Sequence, residues 1–352
     1  VRLIHGDCLE EMPALPTGSV DLILTDPPYY KVKSESWDRS WDTANGFLSW
    51  LGEVADEWAR VLAPNGSLYC FASPQMAARV EVLLAERFTV LNHIVWAKTC
   101  GSWLRSCKDD LRSFFPSTER IIFCEPKGAD SMALGESGYA AQCEELRGFV
   151  FEPLRAYLAG EFERAGLLNA AGMRAANVAC GFAESTTGMV RHYLGRSQWQ
   201  LPAEKHYNTL RDFLNERGNG TFLAREYEYL RREYEDLRRE YEDLRREYED
   251  LRRPFGVTPD VPYTDVWTFD PVPTYPGKHP CEKPGALLDH IIRTSSRQGA
   301  TVLDSFMGGG STGLSCQSLS RNFIGIEKDR EYFEQCKRRL QPDQSGLFAC
   351  TG

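Results

Sequence analysis

Asp26-Pro27-Pro28-Tyr29 is the tetrapeptide whose residue types most plainly spell out a reaction, and it directly follows the strand-like run Val20-Asp21-Leu22-Ile23-Leu24-Thr25. An amino group on a nucleobase is a poor nucleophile, because its lone pair is delocalised into the ring. A carboxylate and a backbone carbonyl that accept both of its N–H bonds localise that lone pair for attack on an electrophilic methyl group. Asp26 supplies the carboxylate and Pro27 the carbonyl. Two consecutive prolines fix φ and carry no N–H of their own, so the carbonyl is held rigidly. Tyr29 offers a ring for a base swung out of its helix to stack on. The blander reading is a strand ending in a proline turn with a capping Asp.

A second group is Asp304-Ser305-Phe306-Met307-Gly308-Gly309-Gly310-Ser311-Thr312-Gly313, placed just after a strand-like run, Ala300 to Leu303. Glycines there let the backbone pass close under a ligand and open a helix, whose first turn includes Ser311 and Thr312. Glu327 follows the next apolar run, Phe323-Ile324-Gly325-Ile326, where an acidic side chain can hold ribose hydroxyls. The glycines also fit the Gly-x-Gly-x-x-Gly dinucleotide pattern, so a nicotinamide or flavin oxidoreductase competes. That rival needs two mononucleotide halves after the glycines, whereas only 39 residues follow Gly313.

These residues require elements to carry them. Leu3-Ile4, Val20 to Thr25, Ser67 to Phe71, Thr89 to Trp96 and Arg120 to Cys124 read as strands. Phe47 to Leu62 has helical spacing and ends at Pro64-Asn65-Gly66. Strand, glycine turn and helix resume at 300–313, with another strand at Asn322 to Glu327 and a helix through Leu340. The expected fold is α/β: a doubly wound, mostly parallel sheet completed by both chain ends. The predicted segments are 1–126, one half of the sheet domain; 127–224, helical; 225–253, heptads; 254–278, a Pro-rich linker; and 279–352, the other half.

The chain has 352 residues, 42% hydrophobic and 26% charged, with a formal net charge of −9. That balance disfavours nonspecific coating of nucleic acid but permits a local basic groove. Its apolar runs are strand-length, so no membrane span is expected, and neither is a signal peptide. Eleven cysteines occur singly, without Cys-x-x-Cys spacing, which points to free thiols and no metal site. A cytoplasmic protein, prokaryotic or phage-encoded, is the expectation.

In the middle stretch, Met173 to Ala179 reads as a helix and Cys180-Gly181-Phe182 as a turn. Ser185 reads as the N-cap of a second helix from Thr186 to Leu194. That spacing fits a helix-turn-helix offering Thr186, Thr187 and Arg191 to base edges, with Arg196, Gln198, Lys205 and Arg211 beside it for phosphates. An ordinary helical hairpin is the alternative. Trp37-Asp38 and Trp41-Asp42 lie in a polar segment after the tetrapeptide, where Trp37 could close over a flipped base or simply pack under the next helix.

From Arg225 to Arg253 the chain repeats a heptad, with Tyr227, Leu230, Tyr234, Leu237, Tyr241, Leu244, Tyr248 and Leu251 alternating along one seam. The repeat predicts a helix of roughly 40 Å, at about 1.5 Å per residue. Expected i,i+4 pairs are Glu235 with Arg239, Glu242 with Arg246 and Glu249 with Arg253, and Pro254 stops the helix. Three readings stay open: a coiled coil pairing two copies as a homodimer, an arm packed on its own domain or along DNA, and a solvated single helix. Nine Arg against eight Glu and three Asp leave it at −2, which argues against strong phosphate binding.

The tetrapeptide and the glycine group together resemble the amino-methyltransferases that modify DNA, with their Asp/Asn/Ser-Pro-Pro-Tyr/Phe/Trp and Phe-x-Gly-x-Gly motifs. Phe306-Met307-Gly308-Gly309-Gly310 fits the latter, and the catalytic motif comes first, as in the family's β order. His5-Gly6-Asp7-Cys8 resembles the segment whose Asp approaches the cofactor adenine. His279-Pro280-Cys281-Glu282-Lys283-Pro284 resembles the stretch beside the methionine moiety. Ile94-Val95-Trp96-Ala97-Lys98 and Ser117-Thr118-Glu119-Arg120-Ile121-Ile122-Phe123 resemble later sheet motifs.

The resemblance implies a methyltransferase sheet with an inserted helical recognition domain, acting on double-stranded DNA with base flipping and without metal. It implies S-adenosyl-L-methionine as cofactor, held by Asp7, Cys8, Lys283, Asp304, Phe306, Gly308, Gly310, Ser311, Thr312 and Glu327. In that family Asp at the first motif position goes mostly with adenine N6 and Ser with cytosine N4, so Asp26 implies N6-adenine, with N4-cytosine the alternative. A DNA-binding regulator without catalysis is a further rival, against which the intact Asp26, Tyr29 and glycine loop count.

Overall fold

The structure, a computed structural model, describes residues 1–32, 35–100, 112, 114, 116–128, 139–259 and 264–341. The chain opens with β1 (Arg2–His5), α1 (Cys8–Glu11), β2 (Val20–Thr25), α2 (Ala44–Val61), β3 (Leu62–Ala72), α3 (Ala77–Ala85), β4 (Phe88–Lys98) and β5 (Thr118–Pro126). Helices follow: α4 (Tyr139–Val150), α5 (Glu152–Arg164), α6 (Ala170–Ala179), α7 (Met189–Leu194), α8 (Glu204–Arg217) and α9 (Tyr227–Leu251). The last part holds β6 (Val266–Phe269), α10 (Gly285–Ser295), β7 (Thr301–Asp304), α11 (Ser311–Ser318), β8 (Asn322–Glu327) and α12 (Arg330–Leu340). Two compact units result, Val1–Asp130 with Arg253–Gly352, and Ser131–Arg252.

The first unit is one sheet in the order β1-β8-β7-β2-β3-β5-β4-β6, drawn from both ends of the chain. Every pairing is parallel except those of β5, which runs antiparallel to β3 and β4. Central strands are buried on both faces, which is why β2 reads as a nearly unbroken apolar run. Ile23, Leu68, Cys70 and Ile122 share a core with Leu51, Val54 and Trp58 of α2. Leu22, Leu24, Tyr69, Phe71 and Ile121 share the other with Leu287, Leu288 and Ile291 of α10. Thr43 starts α2, its Oγ1 accepting the Gly46 N–H at 3.0 Å.

From β2 the chain crosses through α2 to β3; from β7 it crosses through α11 to β8, on the opposite side. β2 and β7 are neighbours, Leu22 beside Val302 and Ile23 beside Leu303. Their carboxyl ends therefore open a crevice where the winding reverses, the place where such sheets bind ligands.

Three details differ from the sequence reading. The 254–278 stretch is more than a linker, because β6 lies within it and extends the sheet beside β4, Trp267 opposite Trp96. Trp267 is buried, and the Trp96 indole N–H donates to the Phe269 carbonyl at 3.0 Å, so a four-residue strand is fixed by two indoles. Pro64-Asn65-Gly66 lies within β3. Val20 pairs with Leu62 and Leu22 with Ser67, so residues 63–66 bulge from the ladder. Arg253, expected to pair with Glu249, instead meets the buried Glu125 at 2.9 Å, with Phe123 and Phe255 rings about its guanidinium.

The second unit has its own core, including Phe151, Leu154, Phe162, Tyr193, Trp199, Tyr207, Leu214 and Leu230. Its second short helix starts later than the sequence reading had it. Ser185 Oγ accepts the Thr187 N–H at 3.0 Å, which holds 185–187 as a turn, and α7 begins at Met189. Thr186 and Thr187 therefore precede the helix. The start of α7 is capped from outside: buried Asn177 accepts the Val190 N–H at 3.1 Å and donates to the Met173 and Ser185 carbonyls. A Cβ at Gly188 would meet Asn177 Oδ1 at 2.6 Å, so this turn needs glycine.

The heptad segment is one helix, and the first part of its seam, Tyr227 to Tyr241, packs inside this unit. Leu230 is fully buried, while Tyr227, Tyr234, Leu237 and Tyr241 pack against the core. Phe151 stacks on Tyr234 at 5.3 Å, and the Tyr227 hydroxyl donates to the Pro202 carbonyl at 3.0 Å. The charged face forms mainly other pairs than those expected. Arg239 and Arg246 bridge Asp236 and Asp243 at i,i+3, and Arg238 bridges Glu242. These are exposed pairs of small energetic weight. No helix among the described residues is long and apolar enough to cross a membrane.

Truncating Leu230 to alanine is expected to destabilise the second unit by about 2–5 kcal/mol. Tyr229→Ala, on the exposed side of the same turn, should stay within about 0.5 kcal/mol. Urea unfolding of both variants checks this; equal effects would mean that α9 does not pack by its seam.

Candidate active site

A cavity of about 760 Å³ lies at the carboxyl ends of β1, β2, β7 and β8, within the first unit. It is lined from one end by Asp26, Pro27, Pro28 and Tyr29, and from the other by Asp7, Cys8, Gly308, Glu327 and Lys328. The volume is that of a site for a nucleoside-sized ligand.

The Asp26 carboxylate is turned by a cation from the far end of the chain: Lys283 Nζ donates to its Oδ2 at 2.5 Å. The other oxygen, Oδ1, is buried with no hydrogen-bond partner. A buried carboxylate oxygen left open is costly, and in a cavity it is an acceptor awaiting a donor. Burial raises the Asp26 pKa; Lys283 pulls it down and Glu119 pushes it up, and the net is upward. Burial also opposes the Lys283 ammonium, but Asp26 and Glu119 outweigh it and its pKa is raised.

Tyr29 is buried, and its hydroxyl is fixed between Glu119 Oε2, to which it donates at 2.9 Å, and Lys283 Nζ at 3.1 Å. Glu119 is also bridged by Lys98. Burial alone would raise the Glu119 carboxyl; Lys283 and Lys98 outweigh it and hold it at about 2. The turn after the tetrapeptide is clasped by Asp38, fully buried, whose carboxylate accepts the Tyr29 and Val32 N–H groups, each at 2.6 Å. Between them Tyr30 and Lys31 both have left-handed φ, 61° and 60°, a conformation that needs such a clasp.

At the other end Glu327 accepts the Gly308 N–H at 2.9 Å and the Asp329 N–H at 2.7 Å, one on each oxygen. Remaining lone pairs suit ligand hydroxyls. Asp7 caps α1, its Oδ1 accepting the Leu9 N–H at 2.9 Å, and its Oδ2 meets Lys328 at 2.9 Å. Burial works against its charge, but Lys328 and that N–H outweigh it and its pKa falls. Cys8 is buried beside it, its thiol pushed up to about 12 by burial. Phe306 lines the cavity edge-on to Trp50, with ring centres 5.7 Å apart. Ser311 and Thr312 line it from the first turn of α11.

Three expected cofactor residues have other work. Lys283 lines the cavity, but its ammonium is committed to Asp26, Tyr29 and Glu119. Gly310 is not among the lining residues. Its φ of 82° makes the turn into α11, and a Cβ there would meet Cys336 Sγ at 2.5 Å, so its smallness serves packing against α12. Asp304 faces the cavity yet spends its carboxylate on neighbours: Thr312 and Thr25 hydroxyls at 2.7 and 3.1 Å and the Phe306 N–H at 3.1 Å.

Glu119, Lys98 and Asp38 were not singled out from sequence as site residues. The available signal was a carboxylate heading an otherwise apolar strand, which must find a cation when buried. The expected DNA-contacting residues Thr186, Thr187, Arg191, Arg196 and Lys205 are all exposed on the second unit. Thr186, Thr187 and Arg191 share a shallow depression there, and Arg196 leans on Glu152 at 3.4 Å. Trp37 lies in a short 3-10 turn, and its side chain falls outside the described residues.

A mostly parallel sheet with a ligand crevice at its reversal point and Asp-Pro-Pro-Tyr on its edge defines a methyltransferase of the amino-group type. The chain matches the DNA methylase (N6 and N4 methyltransferase) family over residues 20–338 and belongs to it. Its cofactor is S-adenosyl-L-methionine. Among curated proteins it is 24% identical to the type II methyltransferase M2.DpnII of Streptococcus pneumoniae, over 97% of this chain and 90% of that one. It is 25% identical to the DNA adenine methyltransferase YhdJ of Escherichia coli K12, over 96% of this chain and 82% of that one. The solved PvuII DNA methyltransferase (cytosine-N4-specific) shares the fold, with a TM-score of 0.52 and 12% identity over 97% of this chain and 86% of that one.

Burial pushes the Asp304 carboxyl up to about 7, against the pull of its hydroxyl and N–H donors. A carboxyl that binds its proton more tightly folded than unfolded stabilises fully below its unfolded pKa, and that stabilisation is lost as pH rises through the folded value. Between pH 4 and 7 the native chain should therefore lose more stability than Asp304→Asn. Urea midpoints across that range check this, and parallel curves would refute it.

Proposed function

We propose that this chain transfers a methyl group to the N6 amino group of adenine in double-stranded DNA, after the base has swung out of the duplex. The observation that carries this reading is the Asp26 Oδ1 atom, buried and without a hydrogen-bond partner, on a residue that lines the cavity beside Pro27. It is suited to accept one hydrogen of an NH2 group while the Pro27 carbonyl accepts the other. Held this way, the nitrogen lone pair is turned out of conjugation and becomes nucleophilic. The fixed Tyr29 ring is suited to receive the base face, because its hydroxyl cannot drift. When bound, S-adenosylmethionine supplies a methyl group on positively charged sulfur, the electrophile. Asp7, Phe306, Gly308, Ser311, Thr312 and Glu327 are the residues we assign to holding it. Asp26 need not be a strong base, since the methylated amine is acidic and sheds its proton after transfer.

Adenine is favoured over cytosine by the aspartate at position 26 and by the relative whose name is DNA adenine methyltransferase. The exposed Thr186, Thr187, Arg191, Arg196 and Lys205 of the second unit, with Trp37 near the tetrapeptide, are assigned to DNA, phosphates by the cations and bases by the turn before α7.

Asp26→Ala is expected to lower methyl incorporation into duplex DNA by at least about 100-fold, the scale of losing a buried group that acts on the reacting centre. Equilibrium dialysis should find S-adenosylmethionine binding within about threefold of the native chain, less than 1 kcal/mol. Digestion of the product to nucleosides should yield N6-methyldeoxyadenosine. N4-methyldeoxycytidine would transfer the reading to cytosine, and no methylated nucleoside from any duplex would end it.

A further inference from the structure

Lys98, Glu119, Lys283 and Asp26 alternate in sign along one line of contacts. Lys98 bridges Glu119, Glu119 Oε2 lies 3.3 Å from Lys283 Nζ, and Lys283 Nζ lies 2.5 Å from Asp26 Oδ2. They come from β4, β5, the segment before α10 and the end of β2, and each side chain is at most a quarter exposed. We infer that Glu119 and Lys98 are positioning residues: acting through Lys283, they set how firmly the Asp26 carboxylate stays ionised and keep its Oδ1 turned to the substrate amino group. This rests on the amino-methyltransfer reading above and goes beyond it to name what controls the acceptor.

Two ammoniums and two carboxylates sum to zero, so the cluster can be buried as a set, whereas removing any single member leaves an uncompensated charge. Within the set the positions are unequal. Glu119 touches two cations, but Asp26, at the end of the line, touches one and feels Glu119 as an anion beyond it. Asp26 is therefore the member that takes a proton first. The Tyr29 hydroxyl, bridging Glu119 and Lys283, ties the ring to the same set. Other groups facing Asp26 are Asp304 at the end of β7 and Cys70 on β3, while Cys281 acts on its neighbours Tyr29 and Lys283. Burial raises the Cys70 and Tyr29 pKa values and keeps both neutral, so Lys283 and Glu119 dominate its field, joined by Asp304 when that group ionises near pH 7.

The inference predicts opposite shifts from two substitutions in one cluster. Glu119→Gln removes the competing anion and gives Lys283 to Asp26 alone, so the acidic limb of kcat/KM for methylation of duplex DNA moves to lower pH. Lys283→Met leaves two carboxylates facing each other, and the acidic limb moves to higher pH, with activity at pH 7 down by about 10- to 100-fold. Lys98→Met, at the more exposed end, frees Glu119 to draw on Lys283 and moves the limb upward by less than Lys283→Met does. If either buried variant fails to bind S-adenosylmethionine in equilibrium dialysis, Lys98→Met decides by the sign of its shift. Limbs that stay at the native position, or move the same way in Glu119→Gln and Lys283→Met, would overturn the inference while leaving the methyltransferase reading intact. Absence of Asp26-dependent methylation in the native chain would overturn that reading instead.

Discussion

A carboxylate buried at the end of a parallel strand costs several kcal/mol unless a cation meets it. Here the cation is Lys283, 257 residues further along the chain than Asp26. Much of the first unit follows from bringing these two together. β7 must lie beside β2 to carry the later segment to the same sheet edge, and α10 must cover the face from which Lys283 approaches. The Lys283 ammonium sits over the Tyr29 and Phe71 rings at 5.2 and 4.8 Å, so the apolar wall that desolvates it also attracts it. Removing the lysine would leave not a gap but an unpaired charge, the costlier of the two faults.

A second buried carboxylate stands one strand away and is treated differently. Asp304 receives hydroxyls and a backbone N–H instead of an ammonium, and through Thr25 and Thr312 it ties the end of β2 to the first turn of α11. Trp58 of α2 reaches the same knot by donating to Ser305 Oγ at 3.0 Å. Burial opposes the charge on both, but one of these adjacent carboxylates is met by a cation and the other by neutral donors alone. Only the first retains an oxygen without a partner. That contrast separates a residue suited to act on a substrate from one suited to hold the crevice together.

Sequence periodicity and motif made much of this legible. The strands that carry Asp26, Asp304 and Glu327 are short apolar runs with a polar residue at the exit, and such runs are readable because central strands are buried on both faces. β6 was not readable. Four residues among prolines have no periodicity of their own, and their conformation is imposed by pairing with β4. Glu119 and Lys98 lie in or beside runs that read as strands, but their meaning depends on the antiparallel register that sets Ala97 opposite Thr118 and Trp96 opposite Glu119, which only the folded sheet supplies. The start of α7 was displaced for a similar reason. Ser185 is an acceptable N-cap locally, yet the cap that forms is a tertiary one from Asn177, and no window of neighbouring residues contains it.

The heptads show the limit of reading a partner from a repeat. Tyr234 and Tyr241 occupy equivalent places in consecutive copies, and both approach Phe151, at 5.3 and 5.9 Å. Tyr227, one heptad earlier, instead lies against Tyr207 and reaches the Pro202 carbonyl. A seam of identical residues therefore meets a non-identical surface. Bulky tyrosines, poor in the tight core of a paired coil, tolerate this because each buries a ring and keeps a hydroxyl for whatever acceptor is near. The repeat dictates a helix with one apolar stripe. What covers the stripe is decided by α4, by Phe151 between α4 and α5, and by Pro202 and Tyr207 about the start of α8, and Leu230, the one seam side chain among the described residues with no exposure at all, marks where that fit is closest.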